Sequence, residues 1–221
     1  MAVIHHTRLK PTKLELLASW LPSRPWYRDS AGGPKLANAG GFRLDDPQGE
    51  VGIEFIVVTD ASGPGPTAYL VPLTYRGAPL DRAEHALVGT MEHGVLGRRW
   101  VYDGCHDPVL IDQLPALIEG RAQAQDQNTT GVPARDVTCA YAGEGPIPMS
   151  LATAATETQE STELPTLNGA SLRLHRALRP APDASPLSPG GTTGHVAGSW
   201  HMPDGSRAVG LFATLHTGPR S

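Results

Sequence analysis

The chain is poor in several things that a specialised protein would show. Aromatic residues make up only 5% of the 221 residues, and charged residues 18%. Two cysteines, Cys105 and Cys139, are too few for a disulfide framework, which points to thiols in a reducing compartment, although one bridge between them stays open. A net charge of −4 without any basic run excludes nucleic acid and an anionic membrane surface as natural partners. No run of about 18 apolar residues is present, so no helix is expected to span a bilayer. Residues 1–8 (MAVIHHTR) lack the basic-then-apolar order of a signal peptide, and a cytoplasmic protein is expected. Lysine is confined to Lys10, Lys13 and Lys35, whereas arginine occurs throughout.

What is abundant is turn chemistry. Twenty-five glycines and 21 prolines amount to about a fifth of the chain, which argues against a helical bundle. Residues 2–6 read as a short strand. Thr12-Lys13-Leu14-Glu15 has the spacing of a capping box, and Leu14, Leu17 and Leu21 follow on one face until Pro22. Strands are expected at 41–44, 51–59 and 68–75 as an antiparallel meander, with Pro72 at an edge or bulge. Another strand at 97–103 precedes a helix opened by Asp107-Pro108, with Val109, Leu110, Leu114, Leu117 and Ile118 on its apolar face. After Arg121 the chain turns polar and aperiodic. Short strands are expected at 137–141, 150–156 and 170–178, and a hairpin at 195–216 around Pro203-Asp204-Gly205-Ser206. The expected fold class is α+β. Antiparallel sheets with two amphipathic helices occupy residues 1–122, a linker 123–135, and a strand-rich region 136–221.

Chemistry-bearing motifs are scarce. Neither C-x-x-C, H-E-x-x-H, G-x-S-x-G nor G-x-x-x-x-G-K-[ST] occurs. The glycine clusters at 63–66 and 190–194 read as turn and loop, because proline removes amides from the first and a strand follows the second. The nine histidines, among them the pairs His5/His6 and His85/His93 and the set His195, His201 and His216, read as surface or packing residues, without the ligand spacing of a metal site. Glu54 lies on the most apolar strand. It faces solvent or pairs with an arginine such as Arg43, and the solvent-facing reading is preferred. Trp26 and Tyr27, in a Pro25-Trp26-Tyr27 loop, would suit stacking on a sugar ring if exposed, though a packing role is more common for such residues.

Several segments carry a resemblance. Residues 2–7 (AVIHHT) leading to Lys13-Leu14-Glu15-Leu16-Leu17, then Trp20-Leu21-Pro22-Ser23-Arg24 and a Trp-containing loop, resemble the N-terminal cap domain of actinobacterial maltokinases. Gly41-Phe42-Arg43-Leu44 and Val51-Gly52-Ile53-Glu54 support this, over about residues 1–120. Residues 136–221 are more weakly similar to the kinase-type small lobe that follows in those enzymes. In this chain Gln159-Glu160-Ser161-Thr162 precedes a strand at 172–178, and the final hairpin corresponds to the last small-lobe strands.

Maltokinases use ATP and magnesium to phosphorylate maltose. The resemblance places Arg173 where those kinases carry a phosphate-binding lysine, and the proline- and glycine-rich stretch 179–194 where a helix would bring an acid. The large lobe with its catalytic acid and metal ligands would lie beyond Ser221. It therefore implies a non-catalytic module, with no catalytic, cofactor or metal residues, that docks on a protein partner in α-glucan or trehalose metabolism. Two other roles fit the same resemblance. The chain could complete an ATP-dependent sugar kinase in trans with a separate large lobe, or bind an α-glucan through exposed Trp26 and Tyr27.

Overall fold

The computed structural model describes residues 9–28, 32–150, 154–167, 169–181 and 190–216; the strand expected at 2–6 and part of that at 150–156 lie outside them. Strand β1 (Leu9–Lys10) leads to helix α1 (Lys13–Trp20). Its capping box forms as the spacing predicts. The Glu15 amide donates to Thr12 Oγ1 (3.3 Å), and the Thr12 amide donates to Glu15 Oε2 (2.7 Å). Five strands follow: β2 (Leu36–Leu44), β3 (Gly52–Asp60), β4 (Thr67–Arg76), β5 (Leu87–His93) and β6 (Gly97–Asp103). Helix α2 (Pro108–Ile118) starts at Asp107, whose carboxylate accepts from the Val109 amide. The remaining strands are β7 (Thr138–Tyr141), β8 (Thr156–Glu157), β9 (Ser161–Pro165), β10 (Ser171–His175), β11 (Ala177–Leu178), β12 (Thr192–His201) and β13 (Arg207–His216).

These strands form two antiparallel sheets. The first runs β1-β5-β6-β4-β3-β2, and the second runs β7-β12-β13-β10-β9-β8. The expected meander is therefore present as β2-β3-β4, and the expected terminal hairpin as β12-β13. Pro72 lies inside the first sheet, yet its missing amide costs no bond. Along that side of β4, β11 pairs at Ala68 and Tyr69 and β6 begins at Leu73, so Pro72 falls in the break between them.

The unbroken apolar run of β3 has a simple cause: its sheet is covered on both faces. Ile56 and Val58 pack with Leu17, Trp20, Leu21 and Trp26 on the α1 side. Phe55 and Val57 pack on the other side with Phe42, with Leu110, Leu114 and Leu117 of α2, and with Phe212 and Trp200 of the second sheet. Phe42 stacks on Phe55 at 4.5 Å between centroids, and Phe212 continues the stack at 6.1 Å from Phe42. A Cβ on Gly198 would come within 2.1 Å of the Phe212 ring, so glycine there lets that ring lie flat across β12.

The boundary expected near residue 122 marks a change of sheet, across which one core continues. Residues 123–135, expected to be a linker, are docked on β2. Arg43 and Gln125 exchange both backbone hydrogen bonds at 2.9 Å, and Gln125 bridges on to Pro133. Among the described residues no helix is long and apolar enough to cross a membrane.

Candidate functional site

The most unusual chemistry lies where one chain segment passes from the second sheet to the first. Strand β10 pairs with β9 and β13; one residue later, β11 pairs with β4. The residue between them is Arg176. Its carbonyl accepts from the Leu70 amide of β4 (2.9 Å), and its own amide donates to the Glu160 carbonyl (2.8 Å). Because the backbone turns here, the Arg176 side chain enters the interior, where it is 0% exposed.

A buried guanidinium needs compensation, and Arg176 has three partners. Nη2 donates to Asp103 Oδ2 at 2.5 Å, and Nε donates to Thr162 Oγ1 at 2.7 Å. The guanidinium carbon lies 4.9 Å from the Trp26 ring centre, a cation–π distance. Nη1 has no protein partner. Asp103, at the end of β6, also accepts from the Cys105 amide at 3.1 Å. Burial alone would lower the Arg176 pKa, but the Asp103 carboxylate and its other neighbours raise it, so the charge is permanent. The Cys105 thiol beside this pair is pushed far up by burial, which leaves it protonated and unreactive. Cys105 is buried, Cys139 is exposed, and both are free thiols.

Over this junction lies a groove of about 300 Å³ lined by Arg28, Thr67, Ala68, Leu178, Arg179 and Trp200. A second depression, of about 620 Å³, shares Arg28 and Thr67 and adds Asp60 and Tyr69. Its polar groups are already engaged. Asp60 accepts from the Tyr27 hydroxyl (2.5 Å) and from the amides of Lys35 and Ser62 (both 2.9 Å). Burial pushes the Asp60 pKa up, but these hydrogen bonds outweigh it and hold the carboxyl below its usual range. Tyr69, beneath, accepts from the Arg28 amide at 3.1 Å. The grooves offer shape and the Arg28 and Arg179 side chains; Arg179 itself is ion-paired to Glu160.

Trp26 and Tyr27 are not at the surface, as stacking on a sugar requires. Trp26 is 1% exposed and Tyr27 8%. Trp26 is clamped edge-on by Trp20 (5.8 Å) and against Tyr69 (6.0 Å), while its Nε1 donates to Glu157 Oε1 at 2.8 Å. Arg24, 3.5 Å from Glu157, completes that link between the α1 side of the first sheet and β8 of the second. The turn Leu21–Ser23, which contains Pro22, and Pro25 after it bring the loop back onto β4, and the ring edges have only protein around them. Both residues anchor the loop, and the sugar-facing role assigned to their exposure falls with it.

Glu54 also departs from its preferred reading. It is 4% exposed and accepts from Lys13 Nζ (2.6 and 2.7 Å), Tyr75 (2.6 Å) and Gln127 Nε2 (3.3 Å). Arg43 sits directly opposite in the β2–β3 register, but the charge partner arrives from α1. Sequence spacing shows strand neighbours and not a helix folded across them, so the Lys13 contact was not legible.

Arg173 is on β10 and pairs across the hairpin with Glu163, at 2.7 Å from Nη2 and 3.0 Å from Nε. Nearby, His175 Nε2 lies 3.2 Å from Thr214 Oγ1, which His216 Nε2 also approaches at 3.0 Å. Burial first, then the Arg173 and His216 charges, lower the His175 pKa from 6.5 to about 4. Its ring stays neutral in the folded protein while the unfolded chain takes a proton. The sign follows: this stability is complete above about pH 6.5 and is lost as pH falls toward 4. We expect the urea midpoint to drop through that window, and His175→Gln to flatten the drop, as read from unfolding curves at half-unit pH steps. An unchanged slope in the variant would refute the assignment.

One side-chain pair has no signature in the sequence. His85 Nε2 lies 3.3 Å from His106 Nδ1, with the rings nearly perpendicular at 87°. The residues are 21 apart and lie on two separate short 3-10 turns, so no spacing rule could have joined them.

With this geometry in place, comparison with known families gives one finding. Residues 20–107 match the family described as the maltokinase N-terminal cap domain. The match begins at Trp20 and includes the 41–44 and 51–54 segments, while the stretches at 2–7 and 13–17 precede it. A search of curated proteins returns no match.

Proposed function

From a segment that matches the maltokinase cap, we propose that this chain is a non-catalytic accessory or interaction module. It serves α-glucan or trehalose metabolism in the cytoplasm of an actinobacterium, and its second sheet is a degenerate kinase-type small lobe. The observation that carries the reading is Arg173. The resemblance puts this residue where a kinase lysine would hold the nucleotide phosphates, and here a guanidinium stands there, forked onto Glu163 of the neighbouring strand β9. Phosphoryl transfer in kinases uses a lysine on the phosphates, itself held by an acid from a helix, and further acids for the metal and the acceptor hydroxyl. A guanidinium in a fork with a carboxylate does not substitute for a lysine point charge. No lysine follows Lys35 to replace it. The maltokinase kinship supports a setting in glucan metabolism by analogy, since a fold does not fix a function.

The test is direct. The purified protein is incubated with magnesium-ATP and maltose, glucose or glucosamine, and sugar phosphate is quantified. The expected result is none above the protein-free blank, and none for Arg173→Lys either. Stoichiometric sugar phosphate from the unmodified chain overturns the proposal.

A further inference from the structure

We propose that His85 and His106 form a two-imidazole chelate for a divalent transition-metal ion of the zinc class, the remaining positions being filled by water. Zinc–imidazole bonds of about 2.0–2.1 Å at tetrahedral angles place two ligand nitrogens about 3.3–3.4 Å apart. The Nε2 to Nδ1 separation here is 3.3 Å. The same separation also suits one ring donating a weak hydrogen bond to the other, and a metal ion would take the place of that proton. His85 is exposed and His106 partly so, which leaves both rings within reach of an ion from solvent.

What brings them together is the fold around Tyr102. His85 belongs to the turn Glu84–Ala86 ahead of β5, and His106 to the turn Gly104–His106 after β6. Ala83, Ala86 and Tyr102 pack as a small buried cluster under the first turn, and the Tyr102 hydroxyl accepts from the Leu80 amide at 2.9 Å. The second turn is held from both sides. Asp103 accepts from the Cys105 amide, and Asp107, wholly buried, is gripped by Arg76 at 2.6 and 2.7 Å. Both turns are therefore fixed to the same end of the sheet, and the rings meet without either backbone having to move. Among the described residues no third histidine, cysteine or carboxylate joins them, which leaves coordination positions open. An open site of this kind accepts water or a donor atom from a bound molecule.

Zinc, and in parallel nickel, is titrated into the uncut 221-residue chain while imidazole nitrogen resonances are followed by long-range proton–nitrogen NMR. The expected outcome is saturation at one ion per chain, with the His85 and His106 rings shifting together. His85→Gln and His106→Gln should each weaken binding by about tenfold or more, and the double variant little further, because a chelate is lost with its first arm. His175→Gln serves as a control that leaves affinity unchanged. Three outcomes overturn the proposal: no saturable shift up to millimolar metal, binding that survives either single variant within twofold, or shifts centred on His175 and His216. The amide spectrum verifies folding of each variant.

Discussion

Arg176→Met should lower the unfolding free energy by about 3–5 kcal/mol, the penalty expected when one partner of a buried ion pair is removed. The substitution keeps the volume of the stem against Trp26 but leaves the Asp103 carboxylate in the interior without its counter-charge, with the Cys105 backbone and thiol beside it. The size of the effect comes from that stranded charge more than from the lost attraction. Replacing both partners, Arg176→Met with Asp103→Leu, should therefore recover most of the loss, because two apolar groups need no compensation. Urea unfolding of the two single variants and the double variant provides the comparison. A double variant as unstable as the singles would mean that the pair does not govern the junction. The sheet crossing offers an independent reading, since faster amide exchange at Leu70 should accompany the destabilisation.

Trp26→Ala should cost a similar amount, about 3–5 kcal/mol, as for other large aromatic truncations in cores. The indole contacts Trp20, Tyr69 and Arg176 at once, and its nitrogen supplies a donor to Glu157. Trp26→Phe keeps one aromatic ring and removes the donor with part of the indole, so a loss between that of the lost hydrogen bond alone, about 1–2 kcal/mol, and that of Trp26→Ala is expected. Since Trp26 touches Arg176, the effects of Trp26→Ala and Arg176→Met should fall short of additivity by about 0.5–3 kcal/mol in a double-mutant cycle. Tryptophan fluorescence should be unmoved by maltooligosaccharides, because the burial of this ring leaves no face for a sugar. A saturable change on adding maltoheptaose would contradict that burial.

The elements that the sequence makes legible are those whose cause is local. Thr12 and Glu15 mark the start of α1, Asp107-Pro108 that of α2, and Asp204-Gly205 the final turn, because each is settled within four residues. Strand β5 is hidden by Gly89, where the ladder with β6 slips by one residue. The continuous apolar run of β3 shows heavy burial but cannot tell which neighbour covers which face. The site suffers most from this limit. Glu54 finds Lys13 from 41 positions away, and Arg176 finds Asp103 from 73. Local patterns describe a turn or a ridge; such pairs exist only once the layers close. The same holds for Trp26, which reads as a loop aromatic because Pro25 and Ser23 are loop chemistry, while the surface it covers belongs to β4.

The passage of a single segment through both sheets has a practical corollary for anyone dividing the protein. Severing the chain after residue 122 would strip β11 from Ala68 and Tyr69 of β4 and uncover the stack of Phe42 on Phe55. A bare hydrogen-bonding margin beside an oily face is a template for its own kind. Such a fragment should pair edge to edge with other copies and precipitate, whereas the uncut chain stays dispersed.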